Sequence, residues 1–185
     1  MTPDEFAPIF AASIAGLTPL ADGEVQWPGM RLRARTFVGE TDWPQLLATS
    51  SRAVVFRGAS VVVVRDANGG IHIQPGGRME AGETYEDAAR REVLEETGWS
   101  LESLKPLGFH HFQPLGERPE GFAHPWRDFV QTLFVAEALA YDRRARDTTQ
   151  IELGSRLTPI RRALAELPER ESGLLRAALE RRALP

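Results

Sequence analysis

The clearest hydrophobic pattern in the chain lies between residues 51 and 77. Ser51–Phe56 and Ala59–Arg65 are rich in valine, which favours β-strands. Val61–Val64 are apolar at consecutive positions, so both faces of that strand should be buried, as in the centre of a sheet. The turn Asp66–Gly70 leads into Ile71–Gln74, which predicts a hairpin. Pro75-Gly76-Gly77 is expected to end that strand.

Strand and helix patterns alternate along the rest of the chain. Further strands are predicted at Arg31–Val38, Leu107–Phe112 and Phe129–Ala138, and a short helical turn at Trp43–Leu47. Helices are predicted at Thr158–Leu167 and Arg170–Leu184. Residues 1–30 mix small apolar residues with Pro and Gly and are interpreted as an N-terminal arm, followed by a single domain over 31–185. The alternation predicts an α/β fold with a mixed sheet.

The segment Thr84–Thr97 is predicted to form a helix with signals at both ends. Thr84 is a plausible N-cap with Asp87 in the capping-box position, and Gly98 is the expected stop. At 100° per residue, Glu92, Glu95 and Glu96 fall within an arc of about 100° on one face.

Three carboxylates this close repel one another, and a cation between them would reverse the sign of that interaction. Carboxylate and carbonyl oxygens are the ligands that Mg²⁺ and Mn²⁺ prefer. Gly76 and Gly77 would let the backbone approach the same place closely. Arg91, one turn before Glu95, can orient that carboxylate. The alternative is a solvated charged face, which Glu/Arg-rich helices usually form. Ala88 on the same face weakens that alternative, because the charges are not segregated from the packing surface.

Composition narrows the classes of function. The chain is 42% hydrophobic and 26% charged, with a net charge of −4 and no cysteine. The acidic balance disfavours stable binding to long nucleic acid, and the lack of cysteine excludes disulfides and thiolate chemistry. With no basic secretory start and no apolar run of about 20 residues, we expect a cytoplasmic protein without a membrane partner. The oligomeric state stays open, a homodimer included.

The segment Gly77–Trp99 resembles the Nudix box, the signature of the Nudix hydrolase family. Its pattern is Gly, five residues, Glu, seven residues, Arg-Glu, an aliphatic residue, any residue, Glu-Glu, any residue, Gly and an aliphatic residue. The matching residues are Gly77, Glu83, Arg91, Glu92, Val93, Glu95, Glu96 and Gly98, while Trp99 stands where an aliphatic residue is usual. The resemblance implies the family's α/β/α sandwich and metal-dependent hydrolysis of a P–O–P bond in a nucleoside diphosphate linked to another moiety.

The resemblance also implies roles for single residues. Glu92, Glu95 and Glu96, assisted by the Gly77 carbonyl, would hold Mg²⁺ or Mn²⁺ in a number left open, and Glu83 and Arg91 would orient them. Glu92 is the first candidate for the general base. In some relatives the base comes from a later loop, so the remaining candidates are Glu117, Glu120 and Glu152.

Substrate selection is expected in the long loop Gln113–Arg127. Phe122 and Trp126, with His124 between them, could stack on a nucleobase, although aromatic residues beside a strand are more often core. His110 and His111 should point to opposite faces of a strand. A nucleotide sensor that does not cut its ligand is the alternative function, and the complete glutamate set argues against it. An isomerase resembling the isopentenyl-diphosphate branch relies on a cysteine and is set aside.

Overall fold

The computed structural model describes residues 8, 10–12, 14–27, 29–39, 48–66, 69–118, 120, 128–146 and 154–184. The chain divides into two compact units. Unit 1 comprises Met1–Thr49 with Gly108–Gln131, and unit 2 comprises Ser50–Leu107 with Thr132–Pro185. The boundary predicted at residue 30 stays a prediction.

Within the described residues, the strands are β1 (Ala21–Trp27), β2 (Met30–Val38), β3 (Ala48–Arg57), β4 (Ser60–Arg65), β5 (Ile71–His72), β6 (Gly76–Arg78), β7 (Trp99–Leu115), β8 (Phe129–Tyr141) and β9 (Gly154–Pro159). The helices with defined bounds are α1 (Tyr85–Thr97), α2 (Ile160–Glu166) and α3 (Glu169–Ala183), with a 3₁₀ turn at Arg143–Ala145. None of the helices described here is both long and apolar enough to cross a bilayer.

Unit 1 is built on an antiparallel hairpin. β1 pairs with β2 from Ala21↔Thr36 to Trp27↔Met30, and β2 pairs in turn with the second half of β7. Alternate residues of β2 are buried, and they pack with the aromatic residues Trp27, Phe112 and Phe129. The segment interpreted as an arm therefore contributes a strand that the sequence analysis did not predict. Its residues, ADGEVQW, are mostly polar, and its partner β2 supplies the hydrogen bonds that a hydrophobic pattern does not reveal.

β4 lies at the centre of the sheet in unit 2. Val61–Val64 are all buried, as predicted. β4 pairs antiparallel with β3, β5 and β9, and β3 also pairs antiparallel with β6. β3 and β8 run parallel: Thr132 bonds Ser51 and Arg57 bonds the Ala138 carbonyl, each across 81 residues of sequence. The sheet is therefore mixed, which confirms the prediction.

Helices cover both faces of this sheet. The small side chains Ala53, Val55, Val62 and Val64 pack with Ala89 and Val93 of α1. Residues of opposite parity pack against α2 and α3: Val54, Phe56, Val61 and Val63 contact a cluster that includes Ala163, Leu174 and Leu175. The predicted α/β/α arrangement is confirmed in unit 2.

Several element boundaries differ from the predictions. Gly76 and Gly77 do not end a strand but form β6, because Ser51 and Arg52 of β3 pair with them. β7 begins at Trp99 rather than at Leu107, and it continues to Leu115, inside the segment predicted as a loop. β9 lacks an alternating pattern and was not predicted, although it pairs with β4 over its whole length. The helical turn predicted at 43–47 lies outside the described residues.

Candidate active site

Helix α1 begins and ends where local sequence signals predict. The Thr84 hydroxyl accepts a hydrogen bond from Asp87 N at 3.1 Å, and this satisfies one of the free amides of the first turn. Gly98 ends the helix with φ 78°, and its N–H donates to the Leu94 carbonyl. That left-handed conformation favours glycine. The two caps fix the rotational position of every side chain on the helix.

Packing of α1 buries part of its acidic face. Ala88, Ala89 and Val93 form the contact stripe and are fully buried. Glu92 and Glu96 flank this stripe, so only 8% and 4% of their surfaces are exposed. A solvated charged face would leave such side chains in water, so that alternative fails for these two glutamates.

Arg91 contacts the carboxylates through all three nitrogens of its guanidinium. Nε and Nη2 donate to the two oxygens of Glu83 at 2.6 and 3.0 Å. Nη1 donates to Glu92 at 2.9 Å and to Glu95 at 3.2 Å. Nη2 also donates to the Arg78 carbonyl at 2.8 Å. Three carboxylates and one main-chain oxygen are thus held by a single rigid group.

The electrostatic environment separates two of these glutamates. Hydrogen bonds from Arg91 hold the pKa of Glu83 at about 2, well below its usual range. Burial raises the pKa of Glu92 above its ordinary value, although Arg91 acts in the opposite direction, and the nearby charge of Glu95 raises it further. Glu83 therefore stays ionised, whereas Glu92 binds a proton more readily than an exposed carboxylate would.

Strand β6 brings main-chain groups against the same carboxylates. Gly76 N donates to Glu96 Oε2 at 2.8 Å. A Cβ at Gly77 would lie 2.3 to 2.6 Å from the Glu92 carboxylate, so any side chain there would displace that carboxylate. The close backbone approach predicted from the two glycines is confirmed. The role of the Gly77 carbonyl as a ligand stays a prediction.

The donor chemistry fits a divalent cation, and the present arrangement would have to adjust to hold one. The buried Glu92 and Glu96 and the half-buried Glu95 supply hard oxygen ligands. Among the described residues, no three acidic or imidazole side chains surround a single point closely enough to hold a metal ion. Arg91 Nη1 bonds one oxygen of Glu92 and one of Glu95, and Gly76 N bonds one oxygen of Glu96.

The structure does not assign the other predicted site residues to this cluster. Glu117 and Glu120 belong to unit 1 and are exposed. Glu152, Phe122 and Trp126 fall outside the described residues, so their roles stay predictions.

The two adjacent histidines of unit 1 have separate partners. His110 bonds the Thr36 hydroxyl at 2.9 Å, and His111 Nε2 bonds Asp128 at 2.8 Å. Both side chains are buried, and these contacts agree with the prediction that they face opposite ways.

One neighbour of the glutamates was missed by the sequence analysis. Arg52 lies opposite Gly76 in the β3–β6 pair, and its charge lowers the pKa of Glu92. The signal for it was available, since Arg52 is the single charged residue in the strand predicted at Ser51–Phe56.

Comparison with known proteins identifies the family. The NUDIX domain family model matches residues 47–176, and the chain therefore belongs to that family. An oxidized purine nucleoside triphosphate hydrolase of Danio rerio is 48% identical over 42 residues, which are 23% of this chain and 27% of the relative. The NAD-capped RNA hydrolase NudC of Haemophilus influenzae is 51% identical over 41 residues, 22% of this chain and 16% of that protein. The chain thus matches only about a quarter or less of the length of these curated relatives.

Solved structures extend the similarity over most of the chain. The Bacillus subtilis pyrophosphohydrolase BsRppH shares 20% identity at a TM-score of 0.59, covering 87% of this chain and 98% of that one. A NUDIX hydrolase from Nitrosomonas europaea gives 18% identity and a TM-score of 0.56, covering 75% and 93%. At these identities the likeness shows a shared fold.

Proposed function

We propose that this protein is a divalent-cation-dependent pyrophosphohydrolase that cleaves the P–O–P bond of a nucleoside diphosphate linked to another moiety. The observation that carries the proposal is the set of carboxylates around Arg91, on a helix that packs against the sheet and buries Glu92 and Glu96. Buried carboxylates that repel one another destabilise the fold. A bound cation would offset that repulsion and would in turn attract an anionic diphosphate.

Glu92, Glu95 and Glu96, with the Gly77 carbonyl, would hold Mg²⁺ or Mn²⁺. Such an ion lowers the pKa of a bound water and offsets the charge of the diphosphate. Glu92 and Glu95 would supply carboxylate oxygens to that cation, and the two bonds from Arg91 to Glu83 would hold the guanidinium beside them.

Glu92 is the preferred general base. Its carboxylate is largely buried among the candidate ligands, close to where the proposed cation would hold the attacking water. The carboxylate also lies against Gly77, whose carbonyl is another candidate ligand. Glu117, Glu120 and Glu152 stay alternatives, and Phe122 and Trp126 stay candidates for base stacking.

The names of the relatives support the class of substrate. One acts on oxidized purine nucleoside triphosphates and another on NAD-capped RNA. Nucleoside triphosphates and NAD both contain a P–O–P linkage attached to a nucleoside. We infer the same class for this chain and assign no particular member of it.

A nucleotide panel tests the proposal. Purified protein is incubated with nucleotide sugars, dinucleoside polyphosphates, NADH and nucleoside triphosphates, with Mg²⁺, with Mn²⁺ or with excess chelator. We expect cleavage of at least one compound at the diphosphate, and only with metal. Binding of a nucleotide without turnover in any metal would favour the sensor instead.

A further inference from the structure

A partly buried carboxylate on α3 contacts the segment that leads into the glycines. Glu171 accepts hydrogen bonds from Ile73 N at 3.1 Å and from Gln74 Nε2 at 2.7 Å. Desolvation raises the pKa of Glu171, and these two hydrogen bonds oppose that effect. A carboxylate in this position costs free energy unless it is hydrogen-bonded, so the two contacts fix its place.

The contacts continue from Gln74 to the glutamates of α1. Arg52 Nη1 donates to the Gln74 carbonyl at 3.0 Å. Ala53 N donates to the Pro75 carbonyl at 3.0 Å, and Gly76 N donates to Glu96. Each residue from Ile73 to Gly76 therefore makes a hydrogen bond to a neighbouring element. Glu171 accepts the bonds from Ile73 and Gln74.

The backbone at Gly76 and Gly77 is closely surrounded by other atoms. A Cβ at Gly76 would lie 2.2 Å from the Ser51 carbonyl, and one at Gly77 would overlap the Glu92 carboxylate. A small shift of the 73–77 segment would therefore change the distance from Gly76 N to Glu96 directly. In a metal site, such outer hydrogen bonds determine how well the ligands are presented.

We propose that Glu171 is a positioning residue: by holding Ile73 and Gln74, it sets where the Gly76 amide meets Glu96 and where Gly77 meets Glu92. It touches neither substrate nor reacting atoms. The catalytic consequence rests on the function proposed above, whereas the effect on the Gly76 amide does not.

The test uses four variants of the full chain. Glu171→Ala removes both hydrogen bonds, and Glu171→Gln replaces the charge by an isosteric amide. The double variant Gln74→Glu with Glu171→Gln exchanges the partners: the amide introduced on α3 can accept from Ile73 N and donate to the carboxylate introduced at position 74. Glu180→Gln, on an exposed position of the same helix, is the matched control.

Hydrogen exchange, Mn²⁺ affinity and steady-state turnover are measured on each variant. Hydrogen exchange reports the protection of the Gly76 amide, and Mn²⁺ titration followed by electron paramagnetic resonance reports metal affinity without turnover. We expect Glu171→Ala to speed exchange at Gly76 and to weaken Mn²⁺ binding about 10-fold, the lower end for outer contacts of a metal site. kcat should fall similarly, with little change in KM. Glu171→Gln should give a smaller effect in the same direction, and the exchanged pair should recover to within about threefold of the parent.

Either of two results would overturn the proposal. The first is that the Gly76 amide exchanges at the same rate in Glu171→Ala and Glu171→Gln as in the control Glu180→Gln. The second is faster exchange with unchanged Mn²⁺ affinity and kcat, which would make Glu171 only a structural contact. A parent that binds no Mn²⁺ would instead contradict the proposed function, and the exchange data would then decide the role of Glu171.

Discussion

Two of the groups of arginine–carboxylate pairs among the described residues have similar bond lengths and different surroundings. In unit 1, Arg33 bonds Asp22 at 2.7 Å and Arg31 bonds Glu24 at 3.2 Å across the β1–β2 hairpin. In unit 2, Arg91 makes its ion pairs at 2.6 to 3.2 Å. Side-chain exposure is 63% for Arg31 and 24% for Arg91.

Distance alone does not separate a surface ion pair from a functional cluster. The hairpin pairs are one-to-one, exposed and opposite in charge, so they need no further explanation. The Arg91 group places one cation among three carboxylates and leaves a buried excess of negative charge. That excess, together with the close approach of Gly77 to Glu92, indicates a ligand.

The largest effect is expected at Glu96. Glu96→Gln can still accept the Gly76 N–H but loses the charge, so the rate should fall about 100-fold or more with the fold intact. Glu86→Gln, exposed on the first turn of the same helix, is the control. Circular dichroism and turnover at saturating Mg²⁺ provide the measurement. Activity within a few-fold of the parent would remove Glu96 from the site.

The second largest effect is expected when Arg91 is replaced by lysine, and the same replacement in the hairpin pairs should have little effect. Arg91→Lys retains the charge but loses the two-pronged contact with Glu83 and the reach to Glu92 and Glu95. We expect kcat to fall about 10-fold and the free energy of unfolding to fall by about 1–3 kcal/mol. Arg33→Lys should change neither noticeably. Equal effects in the two variants, measured by urea unfolding and turnover, would erase the distinction.

A smaller effect is expected on the stability of the fold in acid, through the ion pair between Glu83 and Arg91. The pKa of Glu83 is about 2 in the folded protein, below its ordinary value of 4.5. Its ion pair therefore stabilises the fold fully above about pH 4.5, and this contribution is lost as the pH falls toward 2. The melting temperature of the parent should exceed that of Glu83→Gln by a few degrees at pH 6, and the gap should close with acidification. A gap independent of pH would mean that packing rather than charge is responsible.

The smallest effect is expected in the hairpin. Asp22→Asn should lower the free energy of unfolding by less than about 1 kcal/mol, since exposed ion pairs contribute little. Added salt should reduce even that difference. A loss as large as that of Arg91→Lys, measured in the same urea titration, would show that exposure does not separate the two groups.

Local signals account for what the sequence predicted correctly. Thr84 and Gly98 cap α1 through contacts within four residues, so the helix and the spacing of Glu92, Glu95 and Glu96 follow from the sequence alone. The valines of β4 indicate a central strand because both of its faces are covered. The Nudix box implies that Glu83 and Arg91 orient the cluster, but their mutual ion pair was not predicted.

Long-range contacts account for what was missed. β1 and β9 have mostly polar or irregular sequences and form strands because β2 and β4 offer them hydrogen bonds. Glu171 meets Ile73 and Gln74 across 98 and 97 residues, and no local pattern marks such a partner. β6 follows a proline and contains two glycines, a composition typical of a turn. It forms a strand because it pairs with β3.

The central claim is that Glu92, Glu95 and Glu96 form a divalent-cation site, and thermal melts test it most directly. The parent and Glu95→Gln are each melted with excess chelator and with several millimolar Mg²⁺ or Mn²⁺. A cation that binds only the folded cluster should add about 2.7 kcal/mol of stability at 100 times its Kd. That corresponds to roughly 5–10 °C in the melting temperature of the parent. Glu95→Gln should lose most of this gain. Equal shifts in the two proteins, or no shift in either, would contradict the claim.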